Sequence, residues 1–257
     1  MLRRFKHSGA FGDLIYGLAL VQHLRGGEFY LHLNQINWIG RHYYGSDPSP
    51  FHQGRLNQED YESLRPLLLD QPYISHVGIM DNTVEITHNL DRFRPAFVNH
   101  PGNYIDIYSD CFGITDAIER ASIRNSPWLT VRNPKTVEGR PICINRTLRW
   151  LPPQLSDQWH TWREQGWADK SFFLGLPEEY EAFVTATKFD QTVYIPTSTM
   201  LDMAEYIAGA QTYIGNQSAG LALAIGLGRT FHCEYRRDLP FERNECVFLQ
   251  HPRGIYF

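Results

Sequence analysis

Three short stretches carry residue types able to do chemistry. In the first, residues 212–228 (Thr-Tyr-Ile-Gly-Asn-Gln-Ser-Ala-Gly-Leu-Ala-Leu-Ala-Ile-Gly-Leu-Gly) read as a short strand, a turn of small residues and an apolar helix. Asn216, Gln217 and Ser218 fall where the first helical N–H groups lack intrahelical partners, and Gly220 allows close approach to the backbone, so the turn is suited to an anion. The competing reading is a tight buried connection with Ser218 as an ordinary N-cap. The second stretch is His7-Ser8-Gly9-Ala10-Phe11-Gly12-Asp13, between a first strand and a first helix. Asp13 is either a favourable acid at a helix start or a carboxylate over a cleft, placed to take a proton from a hydroxyl. The third is Asn145-Arg146-Thr147-Leu148-Arg149-Trp150, at the end of a strand. With Ser218, its two arginines would clamp a diphosphate and neutralise charge on a leaving group, and the alternative is two surface arginines on an exposed turn.

These stretches need a scaffold that brings strand ends together, and the alternation of short apolar runs with helical periodicity supplies one. In the second half, residues 142–145, 171–174, 192–195, 212–214 and 230–233 read as buried strands, with helices at 177–186 and 200–209. Thr199 and Asp202 have the spacing of a capping box. The first half predicts strands at 2–6, 29–33 and 74–80, helices at 13–24 and 59–69, and long loops at 34–57 and 82–104. A polar stretch at 132–140 reads as a linker, dividing an acceptor-side domain at 1–134 from a donor-binding domain at 141–257 with a tail of strand or loop character. The expected fold class is α/β, two Rossmann-like domains facing a cleft, with ligands at the carboxyl ends of parallel strands.

Composition narrows the function. The chain has 257 residues with ordinary apolar and charged fractions, and its formal charge of −4 argues against nonspecific coating of nucleic acid. Twenty of its 24 basic residues are arginine, whose planar fork suits phosphate and carboxylate. Cys111, Cys143, Cys233 and Cys246 form no Cys-x-x-Cys pair, so reduced thiols in a cytoplasmic protein are expected. The basic start at Leu2-Arg3-Arg4-Phe5-Lys6 superficially copies a signal peptide, but Asp13, Gln22 and His23 interrupt its apolar region. No apolar run is long enough to cross a bilayer. The first glycine loop is neither a Walker loop nor a complete dinucleotide fingerprint, which places a dehydrogenase far behind. The absence of Asp-x-Asp, of a zinc motif and of a Gly-x-Ser-x-Gly elbow leaves no expected metal site and no serine nucleophile.

Gly9-x-x-Gly12-Asp13, Ile-Asn-Arg-Thr at 144–147, Phe-Leu-Gly-Leu-Pro-Glu-Glu at 173–179 and Ile-Gly-Asn-Gln-Ser at 214–218 occur in an order that resembles the heptosyltransferase-type glycosyltransferases of family nine, of GT-B fold. The resemblance implies inverting, metal-independent transfer from a nucleotide-diphosphate sugar held mainly by the C-terminal domain, with no other cofactor. It makes Asp13 the general base and gives the diphosphate to Arg146 and Arg149 on one loop. Donor contacts are expected from Gly9, Gly12, Arg146, Thr147, Arg149, Asn216, Gln217 and Ser218, with Glu179 on a ribose hydroxyl and Met200 by the base. Trp38, Arg92 and Arg94 are expected on the acceptor, alongside Arg41, Tyr43, Tyr44 and Phe93. The chain departs from the family in Gln217-Ser218-Ala219, where Asp-Ser/Thr-Gly is usual, and in Ala222, where a histidine is common. The acceptor is a surface glycan or, alternatively, a hydroxymethylated pyrimidine in DNA, whose bases and phosphates suit arginine and aromatic loops. A catalytically silent nucleotide-sugar binding module is the third reading.

Overall fold

The computed structural model describes residues 2–35, 56–97, 100, 102–148, 151–235 and 251–257. Among them the chain forms two parallel sheets flanked by helices. The first sheet is built from β1 (Arg4–His7), β2 (Gly27–Leu31), β3 (Ile74–Ile79) and β4 (His88–Asn89), in the order β3-β2-β1-β4. The second contains β5 (Ile142–Asn145), β6 (Ser171–Phe173), β7 (Val193–Tyr194), β8 (Thr212–Asn216), β9 (Thr230–Glu234) and β10 (Gly254–Tyr256), in the order β7-β6-β5-β8-β9-β10. Counted from its own first strand, the second sheet has the 3-2-1-4-5-6 order of a dinucleotide-binding fold, and the first has its opening 3-2-1-4. Strand order therefore reverses between β1 and β4, and again between β5 and β8. At such reversals neighbouring connections leave the sheet on opposite faces and open a crevice at the strands' carboxyl ends.

The helices are α1 (Phe11–His23), α2 (Gln58–Leu69), α3 (Phe93–Phe97), α4 (Tyr104–Cys111), α5 (Ala117–Asn125), α6 (Asp157–Glu164), α7 (Pro177–Thr187), α8 (Met200–Gly209) and α9 (Ala219–Gly226). Residues 14–21 of α1 and 220–226 of α9 are buried without interruption, as expected of helices covered on every side. They pack against each other, and α2 packs on α8. One hydrophobic core consequently runs from Phe5 and Phe29 under the first sheet to Cys143, Tyr213 and Phe231 in the second. A smaller aromatic core of Trp159, Trp162, Phe173, Phe183 and Phe189 covers the second sheet's other face.

Several elements differ from the sequence expectation. The stretch 82–104 is not one long loop: it holds β4, a 3-10 turn at Leu90–Arg92 and α3. β4 has only two residues, too few for alternation to be visible. The tail ends in β10, parallel to β9. In α8, Thr199 caps the Asp202 amide at 3.1 Å, but the Asp202 carboxylate accepts from Ser198 instead of closing a box. The polar stretch 132–140 is pinned at both ends. Lys135 Nζ pairs with Asp202 and Glu205 of α8 at 2.6 and 2.7 Å, and Arg140 Nη1 donates to the carbonyls of Ser171 and Gln191 at 2.8 and 2.7 Å. No helix among the described residues is long and apolar enough to cross a membrane.

Candidate functional site

At the first reversal, His7 closes β1 and is fully buried. Its Nδ1 accepts from the Gly9 amide at 3.1 Å, which leaves the proton on Nε2, 3.0 Å from the Tyr108 hydroxyl oxygen. That hydroxyl in turn donates to the Asp13 carbonyl at 2.9 Å. Burial pushes His7 down to about 3, so the imidazole is neutral and serves as a fixed strut under the loop.

The turn after β4 brings charge to the same place. Asp91 Oδ1 accepts from the Ser8 amide at 3.0 Å and lies 3.4 Å from Arg94 Nε, while Oδ2 lies 3.3 Å from Lys6 Nζ. Burial opposes ionisation of Asp91, yet His7, Arg94, Ser8 and Lys6 together hold its carboxyl below the ordinary aspartate value. Arg94 is only 8% exposed, and its Nη1 lies 3.7 Å from Asp13 Oδ2. Its Nη2 is buried and has no hydrogen-bond partner among the described residues. The guanidinium occupies the space a side chain at position 9 would need, so Gly9 seats an arginine there and does not open that face to a ligand. Arg92, two residues earlier, is exposed and lies over the Phe112 ring at 5.5 Å.

Gly12 is different, because a methyl group there would meet nothing closer than Ala219 at 3.9 Å. The amino ends of α1 and α9 therefore meet across the two halves. Neither helix is capped by a side-chain hydrogen bond at its N-cap, Ala10 or Ser218. Their first amides and aligned dipoles converge beside Asp13 and the turn after β8.

At the second reversal, asparagines set the loops. Asn145 donates from Nδ2 to the Leu174 carbonyl at 2.8 Å, and its Oδ1 accepts from the hydroxyls of Tyr213 at 3.2 Å and Ser218 at 2.9 Å. Asn216 Oδ1 accepts from the Thr147 amide and hydroxyl at 3.0 and 3.2 Å, and its Nδ2 donates to the Thr147 carbonyl at 2.7 Å. Asn216 is thus a staple between the β5 and β8 loops, with no exposed surface of its own. Gln217 is buried as well, and Met200 opens α8 at the end of the β7 connection.

The structure corrects three readings here. Ser218 holds the N-cap position, but its hydroxyl is turned to Asn145 and caps nothing. Gly220 is small because a methyl group would overlap Asn145 Oδ1 and crowd the Tyr213 hydroxyl at 2.7 Å, not because a ligand needs the space. Arg146 is no free clamp: its Nε donates to Glu234 Oε2 at 2.5 Å and its Nη2 to Oε1 at 3.2 Å. The pair is buried, with side chains 5% and 0% exposed, and Trp159 Nε1 donates to Glu234 Oε1 at 2.9 Å. Glu179 Oε2 accepts from the Leu176 amide at 2.9 Å, starting α7. Burial pushes its carboxyl above the usual glutamate value, against the amides of Leu176 and Leu148. Trp38 and Arg149, with Arg41, Tyr43 and Tyr44, lie outside the described residues.

Sequence reasoning missed Asn145 as a hub, and missed Glu234, Asp91 and Tyr108 altogether. A lone acid ending the apolar strand Thr-Phe-His-Cys-Glu was the available signal for Glu234. Tyr108 gave none, because it belongs to an unforeseen helix. Among the described residues, no three His, Cys, Asp or Glu side chains converge as a metal site, and Cys111, Cys143 and Cys233 are free thiols.

No family profile matches the sequence, and neither does any curated protein. Solved structures do match. A family 9 glycosyl transferase from Veillonella parvula aligns at 12% identity over 99% of this chain and 84% of its own, with a TM-score of 0.60. The dodecameric, iron-containing glycosyltransferase TibC of enterotoxigenic E. coli aligns at 11% identity over 99% of this chain, with a TM-score of 0.54; this chain spans 61% of its length. TibC in complex with ADP-D-beta-D-heptose aligns at 12% identity over 99% of this chain and 62% of its own, with a TM-score of 0.52. The two-sheet α/β fold is that of the heptosyltransferase-like family 9 glycosyltransferases.

Proposed function

We propose that this chain is an inverting glycosyltransferase that moves a sugar from a nucleotide-diphosphate sugar to an acceptor hydroxyl without a metal ion. The observation that carries the reading is the placement of Asp13 beside the meeting point of two uncapped helix ends, where a methyl group on Gly12 would lie 3.9 Å from Ala219. A proton acceptor and a receptor for anionic charge then occupy one place, between the two strand-order reversals.

In this reading Asp13 takes the proton of the acceptor hydroxyl as its oxygen bonds to the anomeric carbon. The bond from that carbon to the diphosphate oxygen breaks, its electrons leave with the nucleotide diphosphate, and the configuration inverts. The amides opening α9 and the Thr147 loop receive the departing charge. Arg146, committed to Glu234, shapes that loop from below, and Arg149 supplies the cationic contact. Glu179 faces the ribose and Met200 the base, while Trp38 and Arg92 serve the acceptor. The absence of Asp-x-Asp supports the metal-independent form. The heptose nucleotide bound by TibC makes an ADP-sugar the first donor to test. Reaction in the cytoplasm accords with the widely spaced cysteines.

The test incubates the protein with ADP-D-beta-D-heptose and with ADP-, UDP- and GDP-hexoses, each with a surface glycan or hydroxymethylated DNA, with and without EDTA. Released nucleoside diphosphate and labelled product are measured. Transfer is expected from one donor, unaffected by EDTA, and Asp13→Asn should lower it roughly 10²–10⁴-fold while preserving thermal stabilisation by the nucleoside diphosphate. Unchanged turnover in Asp13→Asn removes the base assignment. Tight binding with neither transfer nor donor hydrolysis identifies a silent binding module instead.

A further inference from the structure

We infer that Arg94 is the positioning residue for Asp13, aimed by Asp91 and seated by the missing side chain of Gly9. The catalytic consequence rests on the proposed role of Asp13 as base, but the coupling between the two side chains does not.

The geometry is a chain of alternating charges drawn from four elements: β1, the 3-10 turn at Leu90–Arg92, α3 and α1. Lys6 on β1 lies 3.3 Å from Asp91 Oδ2, Asp91 Oδ1 lies 3.4 Å from Arg94 Nε, and Arg94 Nη1 lies 3.7 Å from Asp13 Oδ2. Asp91 is itself fixed by the Ser8 amide at 3.0 Å, in the same loop that leads to Asp13. The guanidinium also lies over the Phe93 ring at 4.8 Å. Ring, carboxylate and loop hold its plane, so Nη1 reaches Asp13 in a defined direction.

A merely structural role explains this poorly. Burying an arginine is costly, a buried pair seldom stabilises a fold more than apolar packing would, and Nη2 remains without a hydrogen-bond partner among the described residues. The close seat is made by a glycine at a position where a side chain would displace the cation. Other groups near the pair carry no opposing charge of their own. His7 from β1 is neutral, Tyr108 from α4 donates to the Asp13 carbonyl, and Tyr16 shares α1 with Asp13. The sequence of α9 contains no titratable side chain. Arg94 is thus a buried cation paired with Asp13 at 3.7 Å.

The experiment follows the Asp13 carboxyl directly, by ¹³C NMR titration of protein labelled at its aspartates, with the resonance assigned by its loss in Asp13→Asn. In Arg94→Gln the Asp13 midpoint is expected to rise by about one pH unit or more. Arg94→Lys should recover part of that shift, and Gly9→Ala should reproduce it by displacing the guanidinium. Circular dichroism melts establish that each variant is folded, and if Arg94→Gln is not, Arg94→Lys and Gly9→Ala carry the test. A midpoint unmoved in the folded variants overturns the inference. In the transfer assay, the acid limb of kcat/KM should move with the NMR midpoint. Loss of transfer in Asp13→Asn with an unmoved profile in folded Arg94→Gln defeats the positioning role alone, whereas full transfer in Asp13→Asn defeats the base assignment and leaves the measured coupling intact.

Discussion

Arg146 shows how a side chain's partner decides its chemistry. A basic residue after a strand, in a loop expected to meet a diphosphate, is a reasonable clamp until Glu234 is placed beside it. That pair spans 88 residues of sequence, a separation that spacing cannot reveal. With both oxygens of Glu234 taken up by Arg146 and Trp159, the pair holds the carboxyl end of β9 against the β5 loop. Glu234→Gln leaves a buried guanidinium without its counter-charge and should cost about 3–5 kcal/mol. Arg146→Met combined with Glu234→Met removes both charges and should cost less than Glu234→Gln alone. Urea unfolding of both variants checks this, and an equal or greater loss in the double variant would show that the ion pair contributes net stability.

Glycines separate two kinds of element that look alike in sequence. The strand, turn and helix at residues 212–228 were legible as a unit because β-branched residues give way to small ones and then to a wholly apolar run. The reason for their smallness was not legible, because it lies across the sheet in Asn145 and Tyr213. Gly12 and Gly220 both follow strands in glycine-containing turns, yet a methyl group on one would meet Ala219 at ordinary contact distance and on the other a packed wall. Gly220→Ala should therefore destabilise by about 1–3 kcal/mol through overpacking. Gly12→Ala, in the first turn of α1, should be neutral or gain a few tenths of a kcal/mol from lower unfolded-state entropy. If the helix ends receive substrate, Gly12→Ala should still impair transfer. Thermal midpoints and initial rates measured on both variants separate these cases, and a destabilised Gly12→Ala would contradict the room a methyl group has there. The missed elements have the same physical origin: β4 is two residues long and is recruited to the sheet by its partner β1, with Phe5 opposite His88.

At the scale of the molecule, reading residues 132–140 as a boundary overlooked how firmly the two sheets are joined. The alternation of strands and helices was enough to foresee two Rossmann-like layers, because each strand and helix carries its own periodicity. What joins the layers is tertiary and invisible to periodicity. Trp128 is almost fully buried, its indole N–H donates to the Ile15 carbonyl of α1 at 2.9 Å, and its own amide donates to the Gly226 carbonyl of α9 at 2.9 Å. One residue thereby ties the helix behind the first sheet to the helix behind the second, inside a core shared by both. Truncating it should propagate in both directions: Trp128→Ala should lose about 3–5 kcal/mol. Hydrogen exchange should then accelerate together in β1 and β2 and in β8 and β9, instead of in one sheet. Acceleration confined to the first sheet would mean that the halves open independently, and that the contact between Gly12 and Ala219 can part without unfolding either. Joint acceleration means that the meeting of the two helix ends is built into the folded core, so the geometry beside Asp13 is formed before any substrate arrives.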